Sequence, residues 1–183
     1  EIMISGGEPF LYLDLTQITK TIPESVDVKI WTGLGVDPKR FQREINLLPP
    51  NAQLVVSAEN VKGAYEFVRY GNTWARFCEN LKILDDSGID YQFNATVSNL
   101  TLPGLKDFIL WAKRPIMFAP CSDPDFLSIS VLDNETKDSL ASQITDLPKF
   151  VAESLKVEPS PTQVGNFKNY ILEFAKQIGR AHV

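Results

Sequence analysis

Three short stretches carry residue types that could do chemistry. The first is Gly6-Gly7-Glu8-Pro9, at the end of an apolar run. Two adjacent glycines permit backbone angles and a close approach to a ligand that a Cβ forbids. The second is Ser57, Glu59 and Arg69, an alcohol, an acid and a cation within thirteen residues of chain. Arginine's planar fork can donate two parallel hydrogen bonds to an anion such as a carboxylate. The third is Asn94 to Asn99 (NATVSN), a strand-like stretch ending in amides.

Other chemistries lack their residues. Cys78 and Cys121 have neither a disulfide framework nor metal-ligand spacing around them. Cys78 falls in a helical pattern and reads as a small buried hydrophobe, Cys121 as a loop thiol. The single histidine, His182, sits in the last six residues, Ile178–Val183. Those six are what one reading frame of a common sequencing adapter encodes, so His182 is expected to carry no function. Serine triads and histidine-ligated metals then have no basis. The pairs Asp85-Asp86 and Asp123/Asp125 read as solvated turns.

The net charge of −5 and pI near 4.9 disfavour a phosphate-neutralising surface, and no nucleic-acid partner is expected. No run approaches the roughly 18 apolar residues of a membrane span, so the expected setting is cytoplasmic. A chain of 183 residues, 44% apolar and 22% charged, suits one domain with a sizeable core.

The elements that position these residues alternate strand and helix. Strands are expected at Glu1–Ser5, Val26–Thr32, Ala52–Val56, Tyr91–Val97 and Pro115–Ala119. Between them the spacing predicts a helix capped by Asp14 with Leu15, Ile18 and Ile22 on one face. A second begins at Asp37-Pro38, a third runs from Asn72 or Thr73 to Gly88, and a fourth spans Pro103–Lys113. Residues 58–71 read as loop. Beyond Pro120 the pattern is loop, then helices at Glu135–Ile144, Pro148–Leu155 and Gly165–Gln177. Each strand follows its predecessor by a dozen or more residues, so the strands are expected to be parallel with right-handed crossovers. That pattern makes an open doubly wound sheet or a barrel, with the active site at the strand ends.

Taken in order, these segments resemble the radical S-adenosylmethionine (SAM) superfamily, of the type carrying SPASM or twitch extensions. MISGGEPFL resembles that family's second strand and turn, where glycines meet the methionine end of SAM and polar groups meet its amino group. Val55–Leu81 resembles the fourth strand and its helix: Ser57, Arg69, Trp74 and Asn80 fit, with Tyr65 and Tyr70 flanking the arginine, while Glu59 replaces the usual Asp. Trp31-Thr32-Gly33 stands where Thr-Asn-Gly is frequent, without the Asn. Asn94 and Val97 resemble strand five, and PIMFAP, with Ala119, strand six. Pro124–Leu140 resembles the twitch segment after the barrel, an apolar strand followed by a lysine-bearing helix.

The resemblance implies a partial TIM-like (β/α)6 barrel containing strands two to six over 1–122, a mostly helical extension over 123–177, and the adapter-encoded tail at 178–183. It implies SAM contacts from Gly6, Gly7, Glu8, Pro9, Thr32, Ser57, Glu59, Arg69, Asn94, Val97 and Ala119. In the whole enzyme a [4Fe–4S] cluster, held by a Cys-x-x-x-Cys-x-x-Cys loop absent from this sequence, reductively cleaves SAM to a 5′-deoxyadenosyl radical that abstracts a substrate hydrogen. The substrate would be a peptide or small molecule, an electron donor would serve the cluster, and the chain would be an inactive fragment of an active parent. Two other readings stay open: a non-catalytic SAM-barrel-derived binding protein, and an unrelated α/β-barrel enzyme. The latter wants a Schiff-base lysine or a carboxylate pair at strand ends, but Lys29 lies mid-strand and Glu8 and Glu59 are far apart in sequence.

Overall fold

The computed structural model describes residues 1–12, 15–143 and 148–181, the side chains of 143 and 178–181 excepted. The expected cap Asp14, the helix end Ile144 and His182 lie outside the described residues. The chain forms two compact units, Glu1–Ala95 with Asp107–Met117, and Thr96–Lys106 with Phe118–Val183.

An open five-stranded parallel sheet runs β1 (Ile2–Ile4), β2 (Val28–Thr32), β3 (Ala52–Ser57), β4 (Tyr91–Val97) and β5 (Ile116–Pro120), paired in that order. The register sets Ile4 beside Ile30, Ile30 beside Leu54, and Ser57 beside Asn94. Strand order follows chain order without the reversal that defines a doubly wound sheet.

In the first unit the helices are α1 (Leu15–Lys20), α2 (Pro38–Ile45), α3 (Lys62–Val68) and α4 (Trp74–Ser87). Pro38 opens α2 behind Asp37, whose carboxylate accepts from the Arg40 N–H; Thr73 caps α4 through the Arg76 N–H, and Gly88, at φ +74°, closes it. In β2, Val28, Ile30 and Thr32 are buried while Lys29 and Trp31 are half-buried. The period of two in the sequence thus becomes an apolar face and a mixed face. On the apolar side Phe41, Phe77, Leu84 and Phe108 join Ile30, Leu54, Val56 and Phe93 as fully or almost fully buried side chains. Their rings meet edge-on, Phe10 on Phe41 at 4.9 Å and Phe93 on Phe108 at 5.4 Å between centroids.

Several expectations change. Residues 62–68, expected as loop, form α3; its N-cap Val61 makes no side-chain bond and Lys62 has φ +54°, so no start signal marks it. In α1 the buried stripe is Leu15, Thr16 and Thr19, leaving Ile18 exposed. Cys78 is half-buried rather than buried. Asp85 and Asp86 belong to α4 rather than to a turn, bonded to Tyr91 and Lys82 respectively.

The second unit buries Leu102, Ile129, Val131, Leu140 and Val151. Its helices include α6 (Asn134–Gln143), α7 (Lys149–Ser154) and α8 (Pro161–Ala181). The apolar strand expected after Pro124 is instead two 3-10 turns, Asp125–Leu127 and Ile129–Val131. Ser128 explains the change: its hydroxyl accepts from the Ser130 N–H, a local partner that competes with a ladder. Lys137 of α6 is buried, its ammonium donating to the Val157 carbonyl at 2.7 Å. Helix α5 (Leu105–Trp111) follows a 3-10 turn at Leu102–Gly104, shorter than the expected Pro103–Lys113.

Candidate functional site

At the C-terminal ends of β1, β2 and β3 lies a cavity of about 750 Å³. Its walls come from Ser5–Glu8 after β1, Trp31–Gly33 and Gly35 at the end of β2, Ser57 at the end of β3, and Val68–Asn72 after α3. Parallel strands with crossovers bring loops distant in sequence to one edge, which is why such sites form there.

The β1 wall turns on glycine. Gly6 and Gly7 have φ +99° and +59°, in the region L-residues avoid. A Cβ built on Gly6 meets nothing within 4 Å, and on Gly7 only the Tyr12 ring, its hydroxyl at 3.1 Å. Glu8 then commits both carboxylate oxygens to the chain. Oε1 accepts from the Thr32 hydroxyl at 2.7 Å and the Phe10 N–H at 3.3 Å, and Oε2 from the Gly33 N–H at 3.0 Å. It ties the end of β1 to the end of β2. Pro9 is buried as the first residue of the 3-10 turn Pro9–Leu11 and does not line the cavity.

The opposite wall carries Arg69. Its Nε and Nη2 donate to Glu59 at 2.9 and 2.5 Å. Glu59 is buried and is not a lining residue; its carboxylate holds the arginine. The remaining guanidinium nitrogen, Nη1, lies 3.5 Å from the Cβ position of Gly33. Glu8 Oε2 lies 3.7 Å from the same point, so a side chain at position 33 would stand against both charged groups.

The Gly33–Val36 segment is held from beneath. The Gly33 carbonyl accepts from the Tyr65 hydroxyl and Asn72 Nδ2, both at 3.4 Å, while Asn72 Nδ2 also donates to the Tyr65 oxygen at 2.6 Å. Burial pushes the Tyr65 phenol well above its usual pKa, so it stays a donor. Asn80, fully buried on α4, donates to both the Leu34 and Val36 carbonyls at 2.9 Å. Leu34 between them has φ +53°.

Of the residues singled out from the sequence, Gly6, Gly7, Glu8, Thr32, Ser57 and Arg69 line one cavity. Thr32 is buried, its hydroxyl engaged by Glu8 and the Leu34 N–H. Asn94 neighbours Ser57 across the sheet, and its carbonyl accepts from Ala58, but it is not a lining residue. Val97, buried at the end of β4, and Ala119, half-buried in β5, belong to the second unit. Ser5, Gly35 and Asn72 line the cavity without having been picked out, and Trp31 and Gly33 were picked out only as neighbours of Thr32. The alternation of β2 puts Trp31 opposite buried Ile30 and was a usable signal; Asn72 had none.

Cys78 and Cys121 are free thiols, raised in pKa chiefly by burial. No three His, Cys, Asp or Glu side chains group to hold a metal ion among the described residues. Likewise no described helix is long and apolar enough to cross a membrane.

No family model matches the chain, and no curated protein matches it. Among solved structures it is similar to the crystal structure of Streptococcus suis SuiB, with a TM-score of 0.55 and 16% identity over 96% of this chain. The chain spans 36% of the length of that one. At this identity the likeness is one of fold: an α/β architecture with a five-stranded parallel sheet and a helical C-terminal part.

Proposed function

We propose that this chain is the SAM-holding part of a radical SAM enzyme, comprising strands two to six of a partial (β/α)6 barrel and a twitch-like extension. The observation that carries the reading is the meeting of Gly6 and Gly7 of the β1 turn, Ser57 at the end of β3 and Arg69 at the end of α3 around one cavity. Its 750 Å³ falls within the roughly 300–1,000 Å³ of small-molecule sites.

The donor set suits an amino-acid end. Arg69 Nη1 and the Ser5 and Ser57 side chains are the polar groups for a carboxylate, and the open side of Gly6 admits close approach of a ligand. Glu59 fixes the plane of the guanidinium so that its third nitrogen faces one direction. Glu8 acts through the backbone it positions, since both its oxygens already accept from this chain. Bound there, SAM would supply a carbon radical on one-electron reduction by an iron–sulfur cluster held by the parent outside this sequence. The chain's own share is to bind, orient and exclude water. A peptide or small-molecule substrate, a reductant for the cluster and a cytoplasmic setting belong to the same proposal.

The test uses the full-length parent, reconstituted anaerobically with iron and sulfide. The expected result is a broad cluster absorbance near the visible and, with SAM and dithionite, formation of 5′-deoxyadenosine. A parent whose preceding coding sequence lacks three cysteines in Cys-x-x-x-Cys-x-x-Cys spacing, and which forms no cluster, overturns it.

A further inference from the structure

We propose that Asn80 is a positioning residue of this cavity. By gripping the Leu34 and Val36 carbonyls it fixes Gly33 against both Glu8 and Arg69, keeping those two charges from pairing across the opening. The claim deepens the reading above and rests on it only for the ligand used in one arm of the test.

Asn80 is not a lining residue, yet its amide makes two 2.9 Å bonds to a segment more than forty residues away. A fully buried amide on a helix needs partners, and here both donors go to loop carbonyls while Oδ1 has none. Leu34, between those carbonyls, sits at φ +53° with its side chain fully buried. A non-glycine residue persists there only when its surroundings over-determine it. Tyr65 and Asn72 hold the preceding carbonyl, and Thr32 the Leu34 N–H. The outcome of this bracket is the place of Gly33. Its Cβ position lies within 4 Å of both Arg69 Nη1 and Glu8 Oε2. Were the segment to relax, Arg69 could turn from Glu59 to Glu8 and close the cavity with an ion pair.

Asn80→Leu keeps the size of the side chain and removes both donors. In the chain labelled with 5-fluorotryptophan, the Trp31 fluorine signal is expected to shift while that of Trp111 stays. Amide exchange over residues 33–36 is expected to quicken by about tenfold or more. SAM affinity is expected to fall by about tenfold, and Glu8→Gln added to Asn80→Leu to cost little more than Glu8→Gln alone. A purely structural role predicts losses that add instead. Should Asn80→Leu fail to fold, Tyr65→Phe removes one donor to Gly33 and is expected to give smaller changes in the same direction. Unchanged exchange and an unmoved Trp31 signal overturn the proposal, as do additive losses. The exchange and fluorine arms need no ligand, so a wild-type chain that ignores SAM would count against the SAM reading and not against this one.

Discussion

The β1 and β3 sides of the cavity each anchor a glutamate, and they treat it in opposite ways. Glu8 accepts only neutral donors, a threonine hydroxyl and two backbone N–H groups, from the loops it joins. Glu59, buried more deeply, accepts two bonds from the Arg69 guanidinium. A carboxylate taken from water needs compensation, and either several fixed dipoles or one cation can supply it. On the proposed reading, the difference separates scaffold from recognition. Glu8 staples two strand ends, whereas Glu59 orients a cation that lines the cavity.

Breaking the β3 side should have the largest effect. Arg69→Ala leaves Glu59 buried without its cation, for an expected loss of about 3 kcal/mol, read as a lower urea midpoint at unchanged m-value. On the β1 side, Glu8→Gln removes the charge from three hydrogen bonds and should cost about 2 kcal/mol. If Glu8→Gln proved the more damaging, the contrast would be reversed.

Gly6→Ala sharpens the contrast further. Space is open there, but φ is +99°, so strain alone should cost about 1–2 kcal/mol. Gly33→Ala, whose Cβ meets only ordinary contacts at 3.5 and 3.7 Å, should change stability by no more than about 0.5 kcal/mol. Equal effects in a thermal melt would contradict the conformational account of the β1 turn.

The smallest effect is alkaline. Burial raises the Tyr65 pKa above the ordinary phenol value of about 10, so the fold favours the neutral phenol. That contribution is complete below about pH 10 and is lost as pH climbs toward the raised value. Denaturation midpoints from pH 8 to 11 should therefore fall above pH 10, and less steeply in Tyr65→Phe.

Much of the scaffold was legible in the sequence because its signals are local. Asp37-Pro38, Thr73 and Gly88 mark helix ends by their own chemistry, and VKIWT shows its two faces by alternation. The Gly-Gly turn was legible for the same reason. What was hidden depends on partners far along the chain. Nothing near Glu8 foretells its bond to Thr32, nothing near Glu59 that it would hold Arg69 rather than face a ligand, and nothing near Asn80 that it would reach Leu34 and Val36. The helix at Lys62–Val68 was hidden because it starts without a cap, and the twist of Ile129–Val131 into a 3-10 turn because Ser128 bonds locally where alternation alone reads as strand.

The central claim is that Arg69, held by Glu59, receives the carboxylate of SAM. Calorimetric titration of SAM into the wild-type chain and into Arg69→Lys tests it most directly, since lysine keeps the charge but loses the planar fork. The account predicts saturable wild-type binding weakened about tenfold or more by the lysine, equal to about 1.4 kcal/mol. No binding to the wild type, or equal binding by both, would contradict it.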